Sequence, residues 1–172
     1  MVNNAGDQAA PGALEALRAL LNTWRIPNDT REAEDRFEAY ADDAGWSHAE
    51  RRELLSLRDE LRRVVERTAD TDAVVNDWTV RLDVRPRVSG DGVGFVHRGG
   101  PAGDMVTAAL DAIAAGRWHR LKACPDCRWV FYDHSRNGAK RWCLMTAGGP
   151  DGRSCGSIAK VRAHRQRARD AE

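Results

Sequence analysis

Cys124, Cys127, Cys143 and Cys155 are the only cysteines in this 172-residue chain, and all four fall in its last third. Two of them form Cys124-Pro125-Asp126-Cys127. Fifteen residues separate this pair from Cys143, and eleven more precede Cys155. A C-x-x-C turn aims two sulfurs at one point, and tetrahedral Zn²⁺ needs two further ligands, which is the number of thiols left. One structural Zn²⁺ on the four thiols is therefore expected. Four thiolates leave no coordination position open for a catalytic water. His134 is the other side chain that could replace a thiol, but a histidine in an exposed loop is by default only solvated. Two disulfides would require an oxidising compartment, for which no secretory signal speaks. A redox dithiol would sit in a βαβ unit, and none is readable around Cys124. Four inert buried cysteines would not cluster in this way.

A basic segment follows the cysteines. From Arg117 to Glu172 there are 13 Lys and Arg against 5 Asp and Glu, whereas Met1–Gly116 carries 14 against 21. The formal charge of +1 thus hides an acidic front joined to a basic back. The basic part is the candidate surface for a polyanion, and the acidic part is expected to avoid nucleic acid. Lys160, Arg162, Arg165, Arg167 and Arg169 surround a last helix over 157–170, with Ile158 and Val161 expected to face inward. With Arg136, Lys140 and Arg141 they are the candidate nucleic-acid contacts, because guanidinium forks bind phosphate oxygens and read guanine edges. Trp129, Phe131 and Tyr132 lie on an alternating strand whose one face should pack on the metal core or on the preceding helix; base stacking is the lesser reading. Asp133 and Arg136 are expected to pair across the loop, unless Arg136 meets phosphate instead.

The run from Cys124 to Met145 resembles the CGNR zinc-finger family. The matching residues are Phe131, Asp133, Ser135, Arg136, Asn137, Arg141, Trp142, Cys143 and Met145, with Cys155 and Gly156 at the fourth-ligand segment. Ser157 and Ile158 stand where that family has Asn and Arg, and Thr146–Ser154 adds a Gly/Pro-rich excursion between the last two cysteines. Such an excursion is cheap, since doubling a loop costs ~0.6 kcal/mol. Leu20-Leu21-Asn22-Thr23-Trp24 and Val75-Asn76 are similar to weak motifs of the ABATE domain, which often precedes this finger. The resemblance implies a stress-induced transcription regulator of bacterial type.

The elements that must position these residues are mostly helical. Leu14, Leu17, Leu20, Leu21 and Trp24 recur at helical spacing between Pro11 and Pro27. Asp29 or Thr30 is expected to cap a second helix with Ala33, Phe37, Tyr40, Ala41 and Ala44 on one face, ended by Gly45. Ser47-x-x-Glu50 is a capping box that opens the longest helix. Its buried stripe is Leu54, Leu57, Leu61, Val64 and Val65, and its arginines and glutamates read as a solvated face. Thr71 or Asp72 should cap a short helix through Val74, Val75 and Trp78. Val80, Leu82 and Val84, then Val93 and Phe95, alternate around Gly90-Asp91-Gly92 as a hairpin, with Pro86 marking an edge or a bulge. Asp104 should cap a helix bearing Val106, Ala109, Leu110 and Ile113 that ends at Gly116. Asn22 and Asn76 either line a small-molecule pocket or satisfy backbone groups near a helix end.

These readings add up to an α+β chain, mainly helical. An ABATE-like helical domain with a β-hairpin spans 13–116. A small treble-clef-like or ribbon-like zinc module with a basic C-terminal helix spans 117–172. No apolar run approaches the roughly 18 residues of a membrane span, so a cytoplasmic protein without a membrane partner is expected. The function expected is a zinc-dependent regulator that binds duplex DNA through the back half. The front half would sense or dimerise, with room for a small-molecule ligand and for a homodimer. The alternatives are an adaptor whose basic helix docks an acidic protein, and an RNA-binding protein. No acid/base pair, phosphate loop or dinucleotide motif points to an enzyme.

Overall fold

The capping box forms as its residues require. Ser47 accepts from the Glu50 amide while the Glu50 carboxylate takes the Ser47 amide at 2.7 Å. In a computed structural model of the chain this box opens a helix over His48–Val65. The structure describes residues 8–28, 30–90, 92–144 and 154–169. Outside the described residues lie the Asp29 cap, Asp91 of the hairpin turn, Met145 of the cysteine-rich motif, residues 146–153 of the excursion, the helix end at Asp170 and the first seven residues.

In chain order the elements are α1 (Leu14–Leu21), β1 (Trp24–Arg25), β2 (Glu34–Asp35), α2 (Phe37–Asp43), α3 (His48–Val65), α4 (Thr71–Arg81), β3 (Arg85–Ser89), β4 (Gly92–Val96), α5 (Pro101–Ala114), a 3-10 turn (Trp118–Arg120), β5 (Leu121–Ala123), β6 (Val130–Tyr132) and α6 (Cys155–Arg169). The strands pair antiparallel as three separate two-stranded ribbons: β1 with β2, β3 with β4, β5 with β6. The architecture is α+β and mainly helical, as expected. Among the described residues no helix is long and apolar enough to cross a membrane.

α1, α3, α4 and α5 pack together around Leu17, Leu20, Leu21, Leu54, Leu57, Leu61 and Val106. Each such side chain contributes about 1.5–3 kcal/mol by leaving water. This core does not stop at Gly116. Leu121 of β5 and Val130 and Tyr132 of β6 belong to the same buried cluster as the helical leucines. The β5–β6 ribbon therefore acts as the last layer of the helical core.

Four local expectations are corrected. The second helix begins at Phe37 because residues 34–35 pair with β1 instead (Trp24 opposite Asp35, Arg25 opposite Glu34). Ala33 and Ala44 accordingly lie outside that helix and are exposed. The Asp35 carboxylate takes the Phe37 amide at 2.9 Å and is itself gripped by Arg58 at 2.7 and 2.9 Å. α4 continues to Arg81 with Asp70 as its cap, so Val80 is helical rather than a strand residue, and the hairpin starts only at Arg85. Pro86 is tolerated opposite Phe95 because both strands of a two-stranded ribbon are edges. α5 starts at Pro101, where proline lacks only an amide that the first turn leaves unbonded. The hairpin rests on α5 through His97: a Cβ on Gly103 would stand 2.1 Å from the His97 ring. Finally, the polar residues of α3 are not all solvated. Arg58 and Arg62 are buried, Arg58 over the Phe37 ring and Arg62 over the Trp24 ring.

Candidate metal centre

β5 ends in Ala123, the C-x-x-C turn follows, and β6 returns antiparallel. Two bonds close the turn: Cys124 donates to Trp129 O at 2.8 Å, and Arg128 donates to Cys124 O at 3.0 Å. Arg128 takes a left-handed backbone conformation, φ 60°, to make the second. Cys143 comes from the loop after β6, and Cys155 is the first residue of α6. A reciprocal cap starts that helix. Ser154 Oγ accepts from the Ser157 amide, and Ser157 Oγ from the Ser154 amide, at 3.2 and 3.0 Å. Ser157, where the resembled family carries Asn, thus has a local structural job.

All four sulfurs lie within 4.8 Å of one another. Cys127–Cys143 and Cys143–Cys155 stand at 3.5 Å. A tetrahedron with Zn–S near 2.3 Å spaces its sulfurs by about 3.8 Å, so the donor set fits one zinc ion. Without a cation the thiols compete for charge. Hydrogen bonds from Cys127, Cys143 and Cys155 hold the Cys124 thiol far below its usual range, while bonding to Cys124 pushes Cys127 and Cys143 far above theirs. A dication removes that conflict. Zn²⁺ bound there would cross-link a hairpin, a loop and a helix. His134 is no part of this set: its Nε2 lies 2.7 Å from Ala9 O.

β6 has two buried faces. Phe131, fully buried, packs on the four cysteines with Trp129, Trp142 and Leu144 around it, while Val130 and Tyr132 point to the helical leucines. Phe131 and Tyr132 are thus unavailable for base stacking. Trp129 is half-buried and gives its indole N–H to Gln8 Oε1 at 3.0 Å.

The helical half reaches into the site at several points that the sequence did not flag. Asn22 clasps β6 in both senses, donating to Val130 O at 2.8 Å and accepting from Val130 N at 2.7 Å. The backbone it satisfies is 108 residues away rather than beside its own helix end; Asn76 is exposed. Gln8 donates to Cys143 O at 2.9 Å. Arg62 binds Trp24 O and Arg128 O, both at 3.0 Å, together with Leu21 O and the Glu66 carboxylate. Asn28 donates to Cys155 Sγ at 3.0 Å, a bond that favours the thiolate needed by a metal. Asp126 inside the knuckle takes Arg162 of α6 at 2.6 Å and Arg31 at 3.2 Å. Asp126 was only a spacer between cysteines in the sequence; its neighbours Arg31 and Arg162 are distant in the chain, so no local signal could have revealed the clasp.

Asp133 does not pair with Arg136. It is fully buried and bonds to Lys122 Nζ at 2.8 Å, to Ser135 N and Oγ at 2.9 and 2.6 Å, and to Lys140 N at 2.8 Å. Burial raises its carboxyl, but the Lys122 ammonium and the Ser135 and Lys140 donors outweigh this and hold it at about 2. The unfolded value is about 3.9. The resulting stabilisation is full above the unfolded value and disappears as pH falls through about 2. Asp133→Asn should therefore lose about 2 kcal/mol at neutral pH. That deficit should narrow below pH ~4, read from urea unfolding at several pH values with zinc content checked at each. A deficit independent of pH would show that the carboxylate charge does not hold the loop.

The structure divides the candidate nucleic-acid residues. Lys160, Arg165, Arg167 and Arg169 are exposed on α6, which buries only Cys155 and Gly156. Val161 is 50% exposed, so the inward face expected for it does not exist. Arg162 is engaged by Asp126. The Arg136 side chain is exposed while Arg120 bonds its carbonyl, which fixes the loop. Lys140 lies over Phe131 and Arg141 over Trp142.

Residues 120–168 match the family model described as the CGNR zinc finger. No curated protein matches the chain.

Proposed function

We propose that the protein is a zinc-dependent, non-catalytic transcription regulator that binds duplex DNA through α6 and the loop before it, with the ABATE-like helical half sensing or dimerising. The observation that carries this reading is α6 itself. Its first residue sits in the four-cysteine cluster, Arg162 clamps it to the knuckle, and four further cations project with almost no buried side chain beneath them. A 15-residue helix that buries so little is marginal alone; a polyanion along it would supply the missing stabilisation. Each phosphate neutralised releases a counterion, so log affinity should fall with log salt by ~0.9 per contact.

The test is fluorescence anisotropy of the zinc-loaded full chain with random duplex DNA and with single-stranded RNA across a salt series. Replacing Arg165, Arg167 and Arg169 together with Ala should weaken duplex binding for every sequence and flatten the slope by up to ~2.7. A triple variant that keeps its zinc, affinity and slope would remove α6 from the interface. The second reading is the adaptor whose basic helix docks an acidic protein, and the exposed valines at Val80, Val88 and Val93 (80, 76 and 63% exposed) on α4 and the β3–β4 hairpin would extend such a protein contact beyond α6. Absence of binding to either nucleic acid at low salt would support that alternative.

A further inference from the structure

A cleft of about 360 Å³ opens between the end of α3 and the finger. Arg67 borders it from the helical side; Arg128, Lys140 and Arg141 border it from the knuckle and the following loop. Two other charged residues line it, and both are spent. Lys122 is held by Asp133, and Glu66 by Arg62. Among the described residues no carboxylate pairs with Arg67, Arg128, Lys140 or Arg141. Four cations without a carboxylate partner therefore border one cavity, whose lining anion, Glu66, is neutralised by Arg62.

The backbone supplies a second observation. Arg67 follows the last turn of α3 with φ 61°, where Arg67 N bonds Val64 O and Thr68 N bonds Arg63 O. That is a Schellman ending, whose left-handed position usually carries glycine. Arg128 holds the equivalent left-handed position in the knuckle, φ 60°. Glycine would occupy either without strain. Both carry arginine instead, and both line the same cleft. Backbone strain of this kind clusters at functional sites, and two of the four described non-glycine residues at positive φ border this cleft.

We infer that this cleft is a phosphate-binding site for the nucleic-acid backbone, shared between the helical half and the finger. The inference rests on the nucleic-acid reading above and extends it to residues that α6 does not contain. It also gives the acidic front of the chain one direct contact, through Arg67. Guanidinium forks from two sides can hold one phosphate bidentately, and Lys140 adds a point charge.

The experiment uses the zinc-loaded 172-residue chain and the variant Arg67→Gln with Arg128→Gln, which keeps a polar side chain at each position and removes both charges. Zinc content and melting temperature should be unchanged. In duplex anisotropy the affinity should fall about tenfold per lost contact near 0.1 M salt, and the salt slope should drop by ~1.8. A second arm titrates tripolyphosphate into the wild type and follows backbone amide NMR shifts at Arg67, Arg128 and Lys140. Wild-type duplex binding that the double variant retains in full overturns the cleft and leaves the α6 reading standing. No wild-type duplex binding, with tripolyphosphate shifts centred on the cleft, overturns the nucleic-acid source and points to a small polyphosphate. No response in either arm overturns both.

Discussion

Replacing Cys127 with Ser, or stripping zinc with a chelator, will unfold more than the finger. Structural zinc sites are worth about 10–16 kcal/mol in small fingers, so the β5–β6 turn and the start of α6 lose their cross-link. The consequence reaches the helices because the core is shared. Leu121, Val130 and Tyr132 each contribute about 1.5–3 kcal/mol by burial. Together that is roughly 5–9 kcal/mol, which rivals the whole 5–15 kcal/mol stability of an ordinary domain. The Asn22 clasp on Val130 and the Gln8 bond to Cys143 O would go with them. A fragment ending at Gly116 should be molten for the same reason, although its charge is opposite to that of the finger. The check is far-UV circular dichroism melting joined to amide exchange, with and without zinc. The expected result is a broad, early transition and lost protection at Leu20 and Leu21. Retained protection of those amides in the zinc-free protein would show that the helical half stands alone.

Arg62→Met should be the most damaging single change outside the cysteines. Methionine keeps much of the apolar stem, so the experiment isolates the guanidinium. That group caps Leu21 O at the end of α1, where the last carbonyls of a helix lack partners. It also joins Trp24 O to Arg128 O, linking β1 to the knuckle, and neutralises Glu66. Removing one partner from such a buried set leaves the rest unpaired and costs about 3–5 kcal/mol. For a chain of this length that lowers the melting temperature by roughly 10 °C. Arg62→Lys should rescue little, because one ammonium cannot reach three carbonyls and a carboxylate in fork geometry. Calorimetry of zinc-loaded protein measures both variants. A loss under about 1 kcal/mol, the size of an exposed ion pair, would mean that Arg62 does not join the two halves.

Much of this protein was legible from local pattern. The Ser47–Glu50 box, the leucine stripe of α3 and the four-thiol arithmetic each depend on residues a few positions apart, or on counting ligands for one ion. All appear in the fold. The alternation of Val130, Phe131 and Tyr132 also held, but only tertiary structure showed both faces buried, one by helical leucines and one by cysteines. Long-range demand decided the remainder. Arg58, with its bidentate grip on Asp35, and Arg62 read as surface residues because arginine on a helix usually is. They are buried because carbonyls at the end of α1 and a carboxylate in β2 needed donors that no neighbour in sequence supplied. The same grip on Asp35 goes with a helix that begins at Phe37, several residues later than composition suggested. Asn22 found its partner 108 residues away, and Asp126 found Arg162 across the knuckle. Amino-acid type determined which groups could bond and how many ligands zinc would find. Which buried polar group met which partner was decided only when the β5–β6 ribbon packed on α1 and α3, since desolvated donors and acceptors must pair with whatever the fold brings within reach.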